Sequence, residues 1–318
     1  MSADDLFAKR QSESPAATGD FDQLHTASTA RFSEALVVPQ HALQLSPHLR
    51  SALEAALQGG NIIREGFGRR HTIEEKGIGD LVSEIDARSD AAICLRLRSH
   101  GSEFSIISEE LNPNTRIEGA GAWIVDPLDA TSAFLFQAGR QYSSVMVALH
   151  RDGEIQLGVV LFPLTAEWFY SERGKGAFKN GEQLRLPDEQ VALRDAWVDM
   201  NQYGDARYES EMFRSLREKL RLPGGARLVT SQVPHSGVAM RMLDGEMRLA
   251  AAIHDNNPHK VKQAPWDIAA PQVIMEEAGG VFLNPKGERT DLFEAEPIIV
   301  ARSKQLAREI LQLVPYSV

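Results

Sequence analysis

The sequence predicts an α/β fold on three observations. Short apolar runs in the first half of the chain end abruptly on acidic residues, as strands do where a loop takes over. From residue 144 to about 190, apolar stretches are separated by Gly- and Asn-rich turns, the mark of an antiparallel sheet. From residue 191 onward, strand-like and helix-like runs alternate, which builds a layer of helix on sheet.

With 318 residues the chain can bury a large core and form two domains. Hydrophobic residues make up 43% and charged residues 25%, a balance that favours a packed globule over disorder. Residues 1–45 are rich in Ser, Ala, Thr, Gln and Asp with little apolar periodicity, and read as a disordered or loosely docked extension. Its short run at 32–38 is apolar enough to pack on the body or on a partner subunit. The first domain spans 46–190 and the second 191–318.

Ser46-Pro47 marks a helix start, serine as cap and proline at the first helical position. Leu49, Leu53, Ala56 and Leu57 share one face, and Gly59-Gly60 argues against a long continuation. A second helix follows Asp86 and carries Ile93, Cys94 and Leu97. Strands are expected at 104–107 and 123–125, the second ending at Asp126. Residues 144–149 and 155–162 flank Arg151-Asp152-Gly153, a hairpin signal. A further strand begins at 168–170, and Gly174, Gly176 and Asn180-Gly181 supply turns. In the second domain, strands are expected at 197–200, 247–253, 281–283 and 298–301. Helices are expected at 209–220, from Trp266-Asp267 to Ala278 before the stop at Gly279-Gly280, and at 304–313.

A formal net charge of −10 repels phosphate backbones and anionic lipid heads, which excludes a general nucleic-acid or membrane-surface binder. Cys94 is the only cysteine, so an intrachain disulfide and a cysteine zinc cage are both excluded, and a reducing cytoplasm is the expected location. The first ten residues carry acids and no apolar stretch, unlike a secretory signal. No apolar run approaches the roughly 20 residues that span a bilayer.

Two acidic pairs stand at strand ends, where a rigid element meets a variable loop. Glu109-Glu110 follows the 104–107 run, and Asp126-Pro127-Leu128-Asp129 follows 123–125. In the second, proline fixes the turn, so both carboxylates and the Leu128 carbonyl can face one space. Hard ions such as Mg²⁺ take carboxylate, carbonyl, water and phosphate oxygens. Asp129-Ala130-Thr131-Ser132 reads as a first helical turn whose N–H groups can hold a phosphate. Singly, each feature also has a plain reading: solvated charge, a turn, or a helix cap at Asp267. Their combination points to metal-assisted phosphate chemistry.

At these residues the chain resembles the inositol monophosphatase family, within the lithium-sensitive, magnesium-dependent phosphatase superfamily. Ile107-Ser108-Glu109-Glu110 is similar to the family's Gly-Glu-Glu loop. Trp123 to Thr131 is similar to its Asp-Pro-X-Asp-Gly-Thr signature. Trp266-Asp267-Ile268-Ala269-Ala270 and Glu277-Ala278-Gly279-Gly280 resemble its C-terminal pair of motifs, and Lys76 with Asp80 to Asp86 resembles its upstream Asp-Leu-Val-Thr-X-X-Asp stretch. The likeness runs from about residue 47 to the end.

The resemblance implies an αβαβα sandwich of the inositol monophosphatase/fructose-bisphosphatase type. It implies two or three Mg²⁺ ions: one on Glu109, Asp126 and the Leu128 carbonyl, one on Asp126, Asp129 and Asp267, and a weaker third near Glu109. Asp86 and Thr131 resemble the pair that orients the attacking water, and with Glu109 form the expected catalytic set. Asp129, Ala130, Thr131, Lys76, His235, Ser236, His259 and Lys260 are the candidate substrate contacts, His235-Ser236 having a structural role as its alternative. The substrate would be a small phosphorylated metabolite: an inositol phosphate, a sugar phosphate, histidinol phosphate or a nucleotide 3′-phosphate. Lithium inhibition and a homodimer are further implications of the resemblance.

Three departures stand out. Ala130 replaces a glycine, and keeps its N–H for phosphate if φ stays negative. Pro271 replaces another glycine and costs one helix hydrogen bond, with Asp267 re-aimed. Residues 254–262 read as an enlarged loop in which His254, His259, Lys260 or Lys262 could meet a second anionic group. The departures at Ala130 and Pro271 prompt a second reading, a family member turned to binding or regulation, and a third is a phosphatase for a specialised biosynthetic intermediate. Retention of Asp86, Glu109, Asp126, Asp129 and Asp267 favours catalysis.

Overall fold

The structure is a computed structural model that describes residues 35–77, 80–99, 103–117, 119–137, 142–186, 191–202, 209–230, 235–245, 249–255, 264–293 and 297–315. Its first long element is α1 (Pro47–Gly66), capped by Ser46, whose Oγ accepts from the Leu49 N–H at 3.2 Å. The helix runs through Gly59-Gly60 rather than stopping there. A methyl at Gly59 would lie 2.6 Å from Ser89 Oγ, and one at Gly60 2.6 Å from a Leu161 methyl. These glycines are sites of close approach, and tertiary packing overrides their weak helix propensity.

A hairpin of β1 (Ile73–Gly77) and β2 (Asp80–Ser83) leads into α2 (Glu84–Arg98). Next come β3 (Ser105–Ser108), β4 (Ala122–Asp129) and the short α3 (Thr131–Leu135). A meander follows: β5 (Ser144–Arg151), β6 (Glu154–Phe162), β7 (Glu167–Glu172), β8 (Gly176–Lys179) and β9 (Glu182–Leu184). These make a seven-stranded sheet in the order β3-β4-β5-β6-β7-β8-β9, antiparallel except for the β3–β4 pair. The expected hairpin turn is present: Asp152 and Gly153 have φ of 55° and 81°, the two left-handed positions that a tight turn needs.

The remaining chain forms β10 (Trp197–Gln202), α4 (Glu211–Leu220), β11 (Arg227–Val229), α5 (His235–Leu243), β12 (Ala251–Asp255), α6 (Pro265–Glu277), β13 (Val281–Leu283), β14 (Ile298–Ala301) and α7 (Lys304–Leu311). Its strands form a five-stranded sheet in the order β11-β10-β12-β14-β13. Helix α5 was not foreseen in the sequence, where its start carries only the His235-Ser236 pair.

The layers follow from the alternation of side chains along the strands. In β14, Ile298 and Val300 join a core shared with α5, α6 and the seven-stranded sheet, while Ile299 and Ala301 join a core with α4 and α7. Helices α1 and α2 cover the far face of the seven-stranded sheet. The result is helix, sheet, helix, sheet, helix, the αβαβα sandwich. Among the described residues no helix is long and apolar enough to cross a membrane.

The middle layer is fixed by ionic contacts as well as apolar ones. Arg241 of α5 is 1% exposed, and donates to Glu167 of β7 at 2.7 and 2.9 Å and to Asp244 at 3.1 Å. Lys179 of β8 bonds to both acids, and the Arg241 guanidinium lies 4.6 Å from the centre of the Phe162 ring. Burial alone would raise the Glu167 carboxyl, but Arg241 and Lys179 outweigh it and hold it at about 2. Removing one partner of such a group leaves buried acids uncompensated. Arg241→Met is expected to destabilise the protein by about 3–5 kcal/mol, measured as the shift in urea unfolding; a loss below about 1 kcal/mol would show that the cluster is as dispensable as a surface pair.

Candidate active site

Strand β4 carries the central acids. It continues past Asp126 to Asp129 rather than ending at Asp126, because Pro127 and Leu128 are absorbed in a bulge between the pairs Asp126↔Met146 and Asp129↔Ser144. Proline is tolerated there since a bulged residue donates nothing to the ladder. The Leu128 N–H donates to Asp126 Oδ1 at 3.0 Å, and Ser89 of α2 donates to the Pro127 carbonyl at 2.8 Å. Asp126 is thus fixed at the buried floor of the site, 1% exposed.

Glu109 follows β3, which runs parallel beside β4, and its N–H donates to the Val125 carbonyl at 3.2 Å. Asp90, fully buried on α2, accepts the N–H groups of Glu110 and Leu111 at 3.0 and 2.9 Å and so shapes the acidic turn. Asp267 comes from α6. That helix begins at Pro265 with Ala264 as its cap, so Asp267 stands in the third helical position and is not the cap expected from sequence. Pro271 sits inside α6, which continues to Glu277. Packing holds the helix there: a methyl on Gly158 of β6 would lie 2.8 Å from the Ala270 carbonyl oxygen. At the far end, Glu277 accepts from the Gly174 and Gly176 N–H groups at 3.0 and 2.9 Å, which gives the Glu277-Ala278-Gly279-Gly280 motif a structural purpose.

The four carboxylates are electrostatically joined. Burial raises Asp126 well above the ordinary carboxylate range, and the charges of Glu109, Asp129 and Asp267 add to it. Burial and then Asp267 push Asp129 up to about 7, against hydrogen bonds from Ser236, Ser144 and the Ala130 backbone. Among the described residues no three His, Cys, Asp or Glu side chains stand placed to hold a metal ion together. The donor set nonetheless fits a hard divalent cation: all oxygen, clustered, and too crowded with like charge to stay ionised without positive charge nearby.

Asp86 and Thr131 meet beside these acids. Ser83 caps α2, and Asp86 closes the capping box by accepting from the Ser83 N–H at 2.8 Å. Thr131 Oγ1 lies 2.8 Å from Asp86 Oδ1 and 3.0 Å from the Leu128 carbonyl oxygen. Burial raises the Asp86 carboxyl, against the bonds from Ser83 and Thr131.

Ser236 is fully buried at the start of α5, and its hydroxyl donates to Asp129. Lys76 lies in β1 and His235 opens α5, but their side chains are outside the described residues, as are His259, Lys260 and Lys262 altogether. His254 is not in a loop: it is the fully buried penultimate residue of β12. Asp255 beside it accepts from the Ser210 N–H and Oγ at 2.8 and 2.7 Å, anchoring the start of α4.

Sequence reading passed over Ser83, Ser89, Asp90 and Ser144. Two left a signal: Ser83 stands three residues before Asp86, as a capping box requires, and Asp90 lies in register with the apolar face of Ile93 and Leu97. Ser89 and Ser144 left none, since only the tertiary fold brings them to β4.

Ala130 contradicts the expectation of a negative φ. It has φ 65° and ψ 45°, the left-handed conformation for which glycine is suited, and α3 behind it is only five residues long. Ala130→Gly is expected to raise stability by about 1 kcal/mol, because relief of the left-handed strain exceeds the added freedom of the unfolded chain. Thermal unfolding would show it as a rise of a few degrees or less; a fall would mean that the strain is offset by contacts of the methyl group.

The profile of the Inositol monophosphatase family matches residues 44–317. "Inositol monophosphatase 2" of Solanum lycopersicum is 33% identical over 257 residues, 76% of this chain and 88% of the relative. "Nus factor SuhB" of Pasteurella multocida is 27% identical over 273 residues, covering 85% and 96%. Among solved structures, the extragenic suppressor protein suhB of Bartonella henselae superposes with a TM-score of 0.72 at 23% identity, covering 86% of this chain and all of that one. An IMPase/NADP phosphatase crystallised with Mg²⁺ and phosphate gives 0.64 at 23% identity, covering 80% and 89%. With its signature acids gathered around one buried strand end and nearly its whole described length matched, the chain belongs to the inositol monophosphatase family.

Proposed function

We propose that the protein is a magnesium-dependent phosphatase that hydrolyses a phosphate monoester of a small soluble metabolite. The observation that carries this reading is the convergence of Glu109, Asp126, Asp129 and Asp267, from three separate parts of the chain, on one electrostatically strained cluster beside the Asp86–Thr131 pair. Glu109, Asp126 and the Leu128 carbonyl would hold one ion, and Asp126, Asp129 and Asp267 a second. Bound Mg²⁺ supplies the charge that polarises phosphoryl oxygens and lowers the pKa of water.

The side chains of the protein supply position and a proton path. Thr131 donates its hydroxyl hydrogen to Asp86, leaving its oxygen lone pairs to accept from an attacking water. Asp86, raised by burial, is a stronger proton acceptor than a surface carboxylate, so the water's proton can pass through Thr131 to Asp86. Displacement in line by water needs no protein nucleophile. We assign the substrate's phosphate to Ala130 and Thr131, which follow Asp129 in the chain, and its other groups to the side chains of Lys76, His235, His259 and Lys260.

Phosphate release from a panel of inositol, sugar, histidinol and nucleotide 3′-phosphates, with and without Mg²⁺, tests the reading. Magnesium-dependent release that falls by at least 10³-fold in Asp126→Asn is expected. A folded, Mg²⁺-loaded protein that releases nothing from any ester would favour the second reading, a binding or regulatory member, to which the strained Ala130 lends its one structural argument.

A second outcome follows from Asp129. Its carboxyl is raised from the ordinary 3.8 to about 7, so the folded state holds the proton more tightly than the unfolded chain. That stabilisation is complete below about 4 and is lost as pH rises through about 7. Calorimetry in chelator should therefore show the melting temperature falling across this window, with Mg²⁺ reversing the fall at neutral pH. A metal-free protein equally stable at pH 5 and pH 8 would contradict the coupling of these carboxylates.

A further inference from the structure

Asp129 is gripped by hydroxyls from two layers of the sandwich. Ser144 Oγ, on the first residue of β5, lies 3.3 Å from Asp129 Oδ2. Ser236 Oγ, on the second residue of α5, donates to the same oxygen, and the two hydroxyls are 3.3 Å apart. Both serines are fully buried, so water does not compete for these bonds. The Ala130 N–H adds a further bond to the carboxyl. One oxygen of Asp129 is thereby committed to the protein, which fixes the plane and direction of the carboxylate.

We infer that Ser236, with Ser144 in support, is a positioning residue that aims Asp129 at the divalent cation and ties that aim to helix α5. The inference rests on the reading of Asp129 as a metal ligand. It also changes the role of Ser236 from substrate contact to orienter, because its hydroxyl is buried and spent on Asp129. Groups that orient metal ligands commonly affect metal affinity by about 10–100-fold when removed. Through Ser236, the N-terminal end of α5 and the metal ligand move as one unit, so a ligand that displaces α5 would also disturb the metal.

The experiment is a calorimetric titration of Mg²⁺ into the full chain, in the absence of substrate, for the unmodified protein, Ser236→Ala, Ser144→Ala, Asp129→Ala and the double variant Asp129→Ala/Ser236→Ala. Thermal unfolding serves as the check on folding. Ser236→Ala is expected to bind Mg²⁺ about 10–100-fold more weakly. In the Asp129→Ala background the same substitution should change affinity by less than about twofold, since an effect exerted through Asp129 has nothing left to act on. Turnover of Ser236→Ala should return when Mg²⁺ is raised by the factor lost in affinity, which a general loosening of the fold would not produce. If Ser236→Ala fails to fold, Ser144→Ala reads the same oxygen from β5. Affinity within twofold of the unmodified protein, or an equal loss in the Asp129→Ala background, overturns the inference. No Mg²⁺ binding by the unmodified protein overturns the metal reading itself, and the inference with it.

Discussion

Carboxylates that repel one another have to be held together by elements that attract one another. Asp126, Asp129, Glu109 and Asp267 each raise the electrostatic cost of their neighbours, and burial makes the cost larger. The structure meets this constraint by drawing the acids from elements with strong reasons of their own to be adjacent. β3 and β4 are neighbouring strands of one sheet, and α6 lies across that sheet with its backbone against Gly158. The apolar core shared by α5, α6 and both sheets supplies the attraction. The ionic contacts of Arg241 with Glu167, and of Glu277 with the β7–β8 turn, fix where that core closes. Asp267 is therefore placed by forces that have little to do with its charge.

The same division of labour operates at shorter range. Asp86, Asp126 and Asp129 are each flanked by a small buried polar group that satisfies part of its hydrogen-bonding capacity: Ser83 for Asp86, Ser144 and Ser236 for Asp129, the Leu128 N–H for Asp126. Asp90 acts one step further back, on the backbone of the turn that carries Glu109. Serine and backbone N–H groups are suited to this work because they donate without adding charge. A lysine or arginine at these positions would neutralise the carboxylates and remove the excess negative charge on which the proposed metal site depends.

Much of this was legible in the chain. The acidic strand ends, the β5–β6 hairpin, and the helices beginning on Ser46, Ser210 and Ser303 carry local signals, and local physics decides them. What was misread depends on contacts distant in sequence. Gly59-Gly60 reads as weakening the continuation of the helix until Ser89, Ile93 and Leu161 are seen to need the space. The strand end at Asp126 is hidden because the bulge that lets Pro127 continue β4 exists only in the pairing with β5. His254 reads as part of a polar loop because the histidine is buried by layers that no window of sequence contains. Helix α5 was missed for the opposite reason: its face is apolar almost throughout, as a helix between two sheets requires, so it lacks the polar stripe that marks a surface helix.

Ala130 and Pro271 then read differently from ordinary loop variation. Each puts a residue of restricted geometry where backbone freedom is the simpler solution, one in a left-handed conformation and one inside a helix. Neither breaks its element, because each element is held from outside: Ala130 lies between Asp129, bonded to two serines, and Thr131, bonded to Asp86, while Pro271 lies in a helix packed against Gly158 and clamped at Glu277. Local strain persists only where the surroundings over-determine the backbone. The left-handed Ala130, held between Asp129 and Thr131, therefore shows how firmly the backbone beside these acids is fixed from outside.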